Sequence, residues 1–217
     1  MRVIRKGQEP RSLAEHRSSA AASYDNLSLS AKQELREALA REQGHLCCYC
    51  MSRIDPGPER IVMKVEHWAS QTRNPELQLV YSNLLGACTG GEGSPHDEQH
   101  CDTRKGNSEI TVDPRAPSRH AEELRYAHDG TISSPAVELD QQLNEQLNLN
   151  TPKLKNNRRE ALHEFLRRLQ GKYGKGAWPE GAIEREIVLR STFDKKGKLV
   201  PYAGVMLSWL RRRTGRL

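Results

Sequence analysis

Apolar residues are scarce in this 217-residue chain: 35% are hydrophobic, only two are Phe, and mean hydropathy is −0.80. That is little for a self-sufficient globule of this length, so a partner covering part of the surface is expected. No stretch approaches the ~18 to 20 consecutive apolar residues of a membrane span. The polar opening Met1 to Arg11 also lacks the apolar core of a signal peptide. No membrane association and a cytoplasmic location are the expectation. The phosphate-cradling pattern G-x4-G-K-S/T is missing too, so any nucleotide hydrolysis tied to this chain must belong to another protein. No internal repeat is visible.

Five cysteines are present. In a reducing cytosol they are better read as metal ligands with one spare than as disulfides. Cys47 and Cys50 have the x2 spacing that lets two thiolates reach one tetrahedral ion, which leaves Cys48 as the spare. Cys88 and Cys101 flank the remaining motifs, and a structural Zn²⁺ on Cys47, Cys50, Cys88 and Cys101 is expected.

Charge is unevenly spread. Residues 151–217 hold 17 Lys and Arg against 6 Asp and Glu, whereas residues 1–150 hold 17 against 22. A basic C-terminal third suits phosphate or an acidic partner, because clustered cations release counterions from nucleic acid. The bland reading of any one of these cations is a solvated helix face.

Along the chain, residues 1–43 read as an arm or loosely packed lead-in followed by a helix from Ala31 to Gln43. Ser30 and Gln33 form its capping box, Leu35, Ala38 and Leu39 its stripe, and Gly44 its end. Residues 44–114 change to short strands and loops, with a knuckle over Cys47 to Ile54, a turn at Gly57 between Pro56 and Pro58, and a strand from Arg60 to Val65. Residues 115–150 read as an irregular linker. Residues 151–217 read as helical and basic. Thr151 and Pro152 start a helix with Leu162, Phe165, Leu166 and Leu169 as its stripe and Gly171 as its end, and shorter helices follow near Pro179–Arg190 and Pro201–Arg213.

Between Cys47 and Gly106 the chain runs Cys47-x2-Cys50, Glu66-His67-Trp68, Asn83-Leu84, Cys88 and His100-Cys101-Asp102-Thr103-Arg104-Lys105. This order resembles the HNH, or ββα-metal, nuclease family, with His67 at its first His, Asn83 at its middle Asn and Asp102 at its last position. Along nearly the whole chain, Lys6-Gly7-Gln8-Glu9-Pro10, Cys47-Cys48-Tyr49-Cys50, Tyr81-Ser82-Asn83-Leu84 and Leu147-Asn148-Leu149-Asn150 look like the HNH subunit of Septu and retron anti-phage systems. Two departures stand out. Asp replaces the family's final His or Asn, and Thr89 to Gln99 are inserted where simpler members have a second C-x2-C.

The resemblance implies an α+β protein with a zinc-stapled ββα-metal HNH core, surrounding helices and a mainly helical basic C-terminal part. It also implies a partner ATPase subunit, a nucleic-acid target with DNA favoured over RNA, and a role in anti-phage defence. His67 is then the general base, since an imidazole titrates near operating pH. Glu66 and Asp102 are ligands for a catalytic Mg²⁺ or Mn²⁺. Asn83 positions the loop carrying His67, and Arg104 and Lys105 grip nucleic-acid phosphate. His100 has three readings open: a ligand of the catalytic ion, a zinc ligand in place of Cys88 or Cys101, or a hydrogen bond at a helix start. His45 and His96 are expected to do nothing chemical, and Trp68 to pack over the site. Two other functions compete: a nuclease directed at RNA such as tRNA, and a zinc-knuckle module that binds nucleic acid without cutting it.

Overall fold

A computed structural model gives the fold, and it describes residues 1–57, 62–116, 123–174 and 178–214. The chain is mixed α/β. Its elements are α1 (Arg11–Arg17), α2 (Leu29–Glu42), β1 (Lys64–His67), β2 (Leu84–Ala87), α3 (Cys101–Lys105), β3 (Arg125–Tyr126), β4 (Ile132–Ser133), α4 (Val137–Gln141) with a π-helical turn after it, α5 (Pro152–Tyr173), α6 (Glu180–Ser191) and α7 (Ala203–Arg213). No described helix is long and apolar enough to cross a membrane.

Helix α2 starts two residues earlier than its sequence suggests. Ser28, not Ser30, is the cap, its side chain accepting from the Ala31 N–H at 3.2 Å. Two serines two positions apart carry the same signal, and Gln33 is not a capping partner: it bonds Glu37 and the Pro56 carbonyl. Leu35 and Leu39 are fully buried as the stripe requires. Gly44 ends the helix at φ +60, and a Cβ there would lie 2.4 Å from the Leu199 side chain. Only glycine fits that close approach.

Strands β1 and β2 pair antiparallel, Lys64 opposite Ala87 and His67 opposite Leu84. The predicted strand start and turn at Pro58, Arg60 and Ile61 lie outside the described residues. On the far edge of β2 the buried Gln43 side chain acts as a third strand: it accepts from the Gly86 N–H at 2.7 Å and donates to the Gly86 carbonyl at 2.8 Å. Cys48 N–H donates to the same carbonyl, which fastens the Cys47–Cys50 turn to the sheet.

The N-terminal stretch is no loose arm. Leu13 on α1 is fully buried, in one apolar cluster that also takes Leu85, Leu143 and Leu162. The segment read as irregular is also ordered where described. It contains the β3–β4 hairpin, and Leu139, Leu143 and Leu147 recur every fourth residue and are buried. Its strands are two residues long, too short for alternation to be visible. Thr151 caps α5 as expected, but the helix passes through Gly171 and stops at Gly174, whose φ is +79.

Candidate metal cluster and adjoining cleft

The Cys47–Cys50 turn is closed by a bond from Met51 N–H to the Cys47 carbonyl, with Met51 in the left-handed region at φ 63. Cys88 directly follows β2, and Cys101 opens α3. The intervening insertion is pinched shut by His100 N–H donating to the Gly90 carbonyl at 2.9 Å. A Cβ on Gly90 would sit 2.2 Å from the His100 carbonyl, so glycine is required for the pinch. That closure brings Cys88 and Cys101 together across eleven inserted residues, as a short C-x2-C would.

The four sulfur atoms of Cys47, Cys50, Cys88 and Cys101 lie within 4.8 Å of one another, all buried and none in a disulfide. Two thiolates bound at ~2.3 Å to one tetrahedral ion are about 3.8 Å apart, and Cys50 Sγ to Cys88 Sγ is 3.7 Å. The cluster is positioned to bind a metal ion, consistent with a structural zinc. Burial resists ionisation of Cys47, but hydrogen bonds from Cys101, Cys48, Cys50 and Cys88 outweigh it and hold this thiol well below its ordinary value. Cys48 lies outside the cluster, and burial raises its thiol.

Asp102, next to Cys101, faces a different region. Lys64, Glu66, His67, Asp102, Thr103 and Asn107 are among the residues lining an open cleft of about 620 Å³. Neighbours on a strand point to opposite faces, but β1 ends at His67, which lets both Glu66 and His67 reach the cleft. Glu66 is 1% exposed. Tyr49 Oη donates to its Oε1 at 2.7 Å and Lys105 Nζ stands 2.9 Å from the same oxygen. Burial first, and then the facing Asp102 carboxylate, push the Glu66 carboxyl well above the usual range, while Lys105 and Tyr49 pull the other way. The two carboxyls are held against each other at the cleft wall, each with one lysine beside it: Lys105 on Glu66 and Lys64 3.5 Å from Asp102. Their hard oxygens suit a small divalent cation, which binds through one or two carboxylates and keeps several waters.

The His67 ring packs edge-on to Tyr24, centroids 4.7 Å apart. Its Nε2 is 3.0 Å from the Gln78 carbonyl. A carbonyl only accepts, so Nε2 carries the proton and Nδ1 keeps the lone pair in the neutral ring. Burial lowers the imidazole from its ordinary value, favouring that neutral form. Asn83 holds the chain beyond His67: Oδ1 accepts from Ala69 N–H at 2.8 Å, and Nδ2 donates to the Ala69 and Leu77 carbonyls. Trp68 packs against the core with its Nε1–H on the Val112 carbonyl.

Three expected contacts are placed elsewhere. Lys105 has a fully buried side chain, held by Glu66 and by the His67 carbonyl at 3.0 Å, so it cannot grip a phosphate from solvent. Residue type reveals its charge but not its depth: α3 directs the chain inward at this point. Arg104 is turned to the Glu145 and His96 carbonyls and does not line the cleft. His100 sides with the thiols, its Nδ1 3.3 Å from Cys101 Sγ and 3.9 Å from Cys88 Sγ, and is absent from the cleft lining. Of the three readings of His100, this placement removes a ligand to the cleft cation, its side chain makes no capping bond at the start of α3, and the metal-ligand cluster is formed by the four cysteines without it.

Two participants escaped the sequence reading. Lys64 lines the cleft 3.5 Å from Asp102, and its signal was available because it shares a strand face with Glu66 at i, i+2. Tyr49, inside the Cys48-Tyr49-Cys50 run, gave no hint that its hydroxyl would reach Glu66. No protein-family model matches this chain, and no curated protein matches it either.

Proposed function

We propose that the chain is an HNH-type endonuclease that hydrolyses phosphodiester bonds at the cleft, with zinc held on Cys47, Cys50, Cys88 and Cys101 as a structural staple. The observation that carries this reading is the convergence on one open cleft of two facing carboxyls with an imidazole whose Nε2 is already committed. Glu66 and Asp102 would hold the ion. What a bound Mg²⁺ or Mn²⁺ supplies there is charge neutralisation at phosphorus and stabilisation of the departing oxygen. His67 Nδ1 takes a proton from the attacking water as its oxygen bonds to phosphorus, and the bond from phosphorus to the leaving oxygen breaks. The Gln78 carbonyl fixes the tautomer for that task. Lys64, the cleft's own cation, meets the phosphate in the role first expected of Lys105.

On the same reading the protein is the effector subunit of an ATPase–nuclease anti-phage complex. The resemblance and the scarcity of apolar residues support a partner, and with no phosphate loop in the sequence any nucleotide hydrolysis is left to it. The test is cleavage of plasmid DNA and of total tRNA with Mg²⁺ or Mn²⁺, by wild type and His67→Ala, each with and without the co-expressed ATPase. Loss of the base should slow cutting by about 10²- to 10⁴-fold. Equal inertness of both proteins, with nucleic acid still bound, would leave only a binding module.

A further inference from the structure

A cavity larger than that cleft lies outside it. It measures about 1280 Å³, above the ~300 to 1,000 Å³ of small-ligand pockets, and is walled by the N-terminal segment of residues 1–6, β3, the end of α6 and α7. Its charges are one-sided, with seven cations on the wall and Glu42 as the single acid. Three of the cations are neutralised locally: Lys6 by Glu42, Arg115 by Asp113 and Arg190 by Glu186. The other four, Arg2, Arg5, Arg125 and Arg211, have no carboxylate partner among the described residues. Burial together with the nearby Arg5 lowers Arg2 from its ordinary value, as expected where guanidinium groups crowd without anions.

The same cavity exposes an aromatic face. Phe193 is 48% exposed, and the Arg2 guanidinium lies 5.7 Å from its ring centroid. An exposed ring beside unpaired guanidinium groups suits the two repeating parts of a nucleic-acid strand, the flat base and the phosphate. An acidic peptide would use the charges and leave the ring idle. At one end Arg115, 4.5 Å from the Trp68 ring centroid, joins the cavity wall to the residue directly after His67.

We propose that this cavity is a second nucleic-acid site, a channel that holds single-stranded nucleic acid through Arg2, Arg5, Arg125 and Arg211 with Phe193 as a stacking face. It deepens the nuclease reading and rests on nucleic acid being the substrate. The channel would hold a strand away from the cleft, so that the protein engages more of its target than the bond it cuts.

The test is fluorescence anisotropy of a labelled oligothymidylate, without added divalent ion so that no cleavage is needed. The proteins are wild type, the triple variant Arg5→Ala/Arg125→Ala/Arg211→Ala, and Phe193→Ala. The three arginines are exposed, and circular dichroism checks that the fold is kept. The triple variant should bind roughly tenfold or more weakly, with the slope of log affinity against log salt shallower by about 2. Phe193→Ala should lose roughly fivefold or more with its salt slope unchanged. A triple variant that binds as wild type does, with the same slope, would overturn the channel while leaving His67-dependent cleavage standing. Arginine-dependent binding of a glutamate-rich peptide, with the oligonucleotide ignored, would overturn it in favour of an acidic partner segment.

Discussion

Cys101 and Asp102 are consecutive residues of α3, yet they serve regions that differ in nearly every physical respect. The thiol side is closed: four buried sulfur atoms lie within 4.8 Å of one another, with the buried His100 ring against two of them. The carboxylate side is open, lined by a half-buried imidazole and a lysine that reaches solvent, and its two acids repel one another. A site that only holds the chain together is best saturated by the protein. A site meant to bind something else must be left open on one side. The knuckle, β2 and α3 are fixed by the first region so that the second can stay incomplete.

The sharpest way to break this contrast is to remove the staple. Cys50→Ser should abolish tight zinc binding and the cooperative thermal transition together. Zinc bound to small cysteine sites is worth on the order of 10 to 16 kcal/mol, comparable to the whole stability of a domain. Metal analysis of the folded protein with a thermal melt reads both. A Cys50→Ser protein that melts as wild type does would mean the cysteines merely pack. Cys48→Ser is the control and should retain the metal.

Next in size comes Lys105→Met. The lysine is the internal countercharge of Glu66, and its loss leaves a buried carboxylate with only the Tyr49 hydroxyl and its acidic neighbour. Removing one partner of a buried pair costs about 3 to 5 kcal/mol. Adding Glu66→Gln should restore part of that in a denaturant titration. If Lys105→Met were fully stable but failed to bind nucleic acid, its assignment as an internal group would be wrong.

The two regions were unequally legible in the sequence. The thiol cluster was readable because x2 spacing maps directly onto metal geometry, and even the insertion after Cys88 hid little once Gly90 is seen to close it. The cleft was readable in membership but not in depth. Glu66, His67, Asn83 and Asp102 stand in recognisable order, whereas Lys105 and Lys64 look equivalent until the backbone buries one and exposes the other. The N-terminal packing of Leu13 and the helical stripe at Leu139, Leu143 and Leu147 were hidden because polar residues surround a few leucines, and only tertiary contact shows which of these are core. The cationic cavity was not legible, since the positive excess lies in residues 151–217 whereas Arg2, Arg5 and Arg125 belong to the net-acidic part of the chain. The arginines of its wall are scattered from Arg2 to Arg211, and folding alone collects them.

A smaller effect is expected from Asn83→Ala. It removes three hydrogen bonds and strands the Ala69 N–H and carbonyl, at about 1 to 3 kcal/mol for groups left unsatisfied, while the Leu77 carbonyl keeps its bond from the Val80 N–H. The loop after His67 should loosen, so cleavage should fall more than stability implies, and amide exchange at Trp68 and Ala69 should quicken. Exchange rates matching wild type would remove Asn83 from the positioning role.

Smallest in stability, and most discriminating between the two lysines, is Lys64→Ala. Lys64 is 30% exposed and its contacts to Asp102 and Glu92 are 3.5 and 3.4 Å, so the pairs should contribute no more than about 1 kcal/mol to folding. The thermal midpoint should scarcely move. If Lys64 meets the phosphate, cleavage should nevertheless fall roughly tenfold or more, and Lys64→Arg should recover part of it. Lys64 also sits beside Asp102, so its removal could instead favour cation binding by freeing a carboxylate. Activity that rises in Lys64→Ala, with a lower Mg²⁺ requirement, would make this lysine a placeholder for the ion rather than a partner of the substrate.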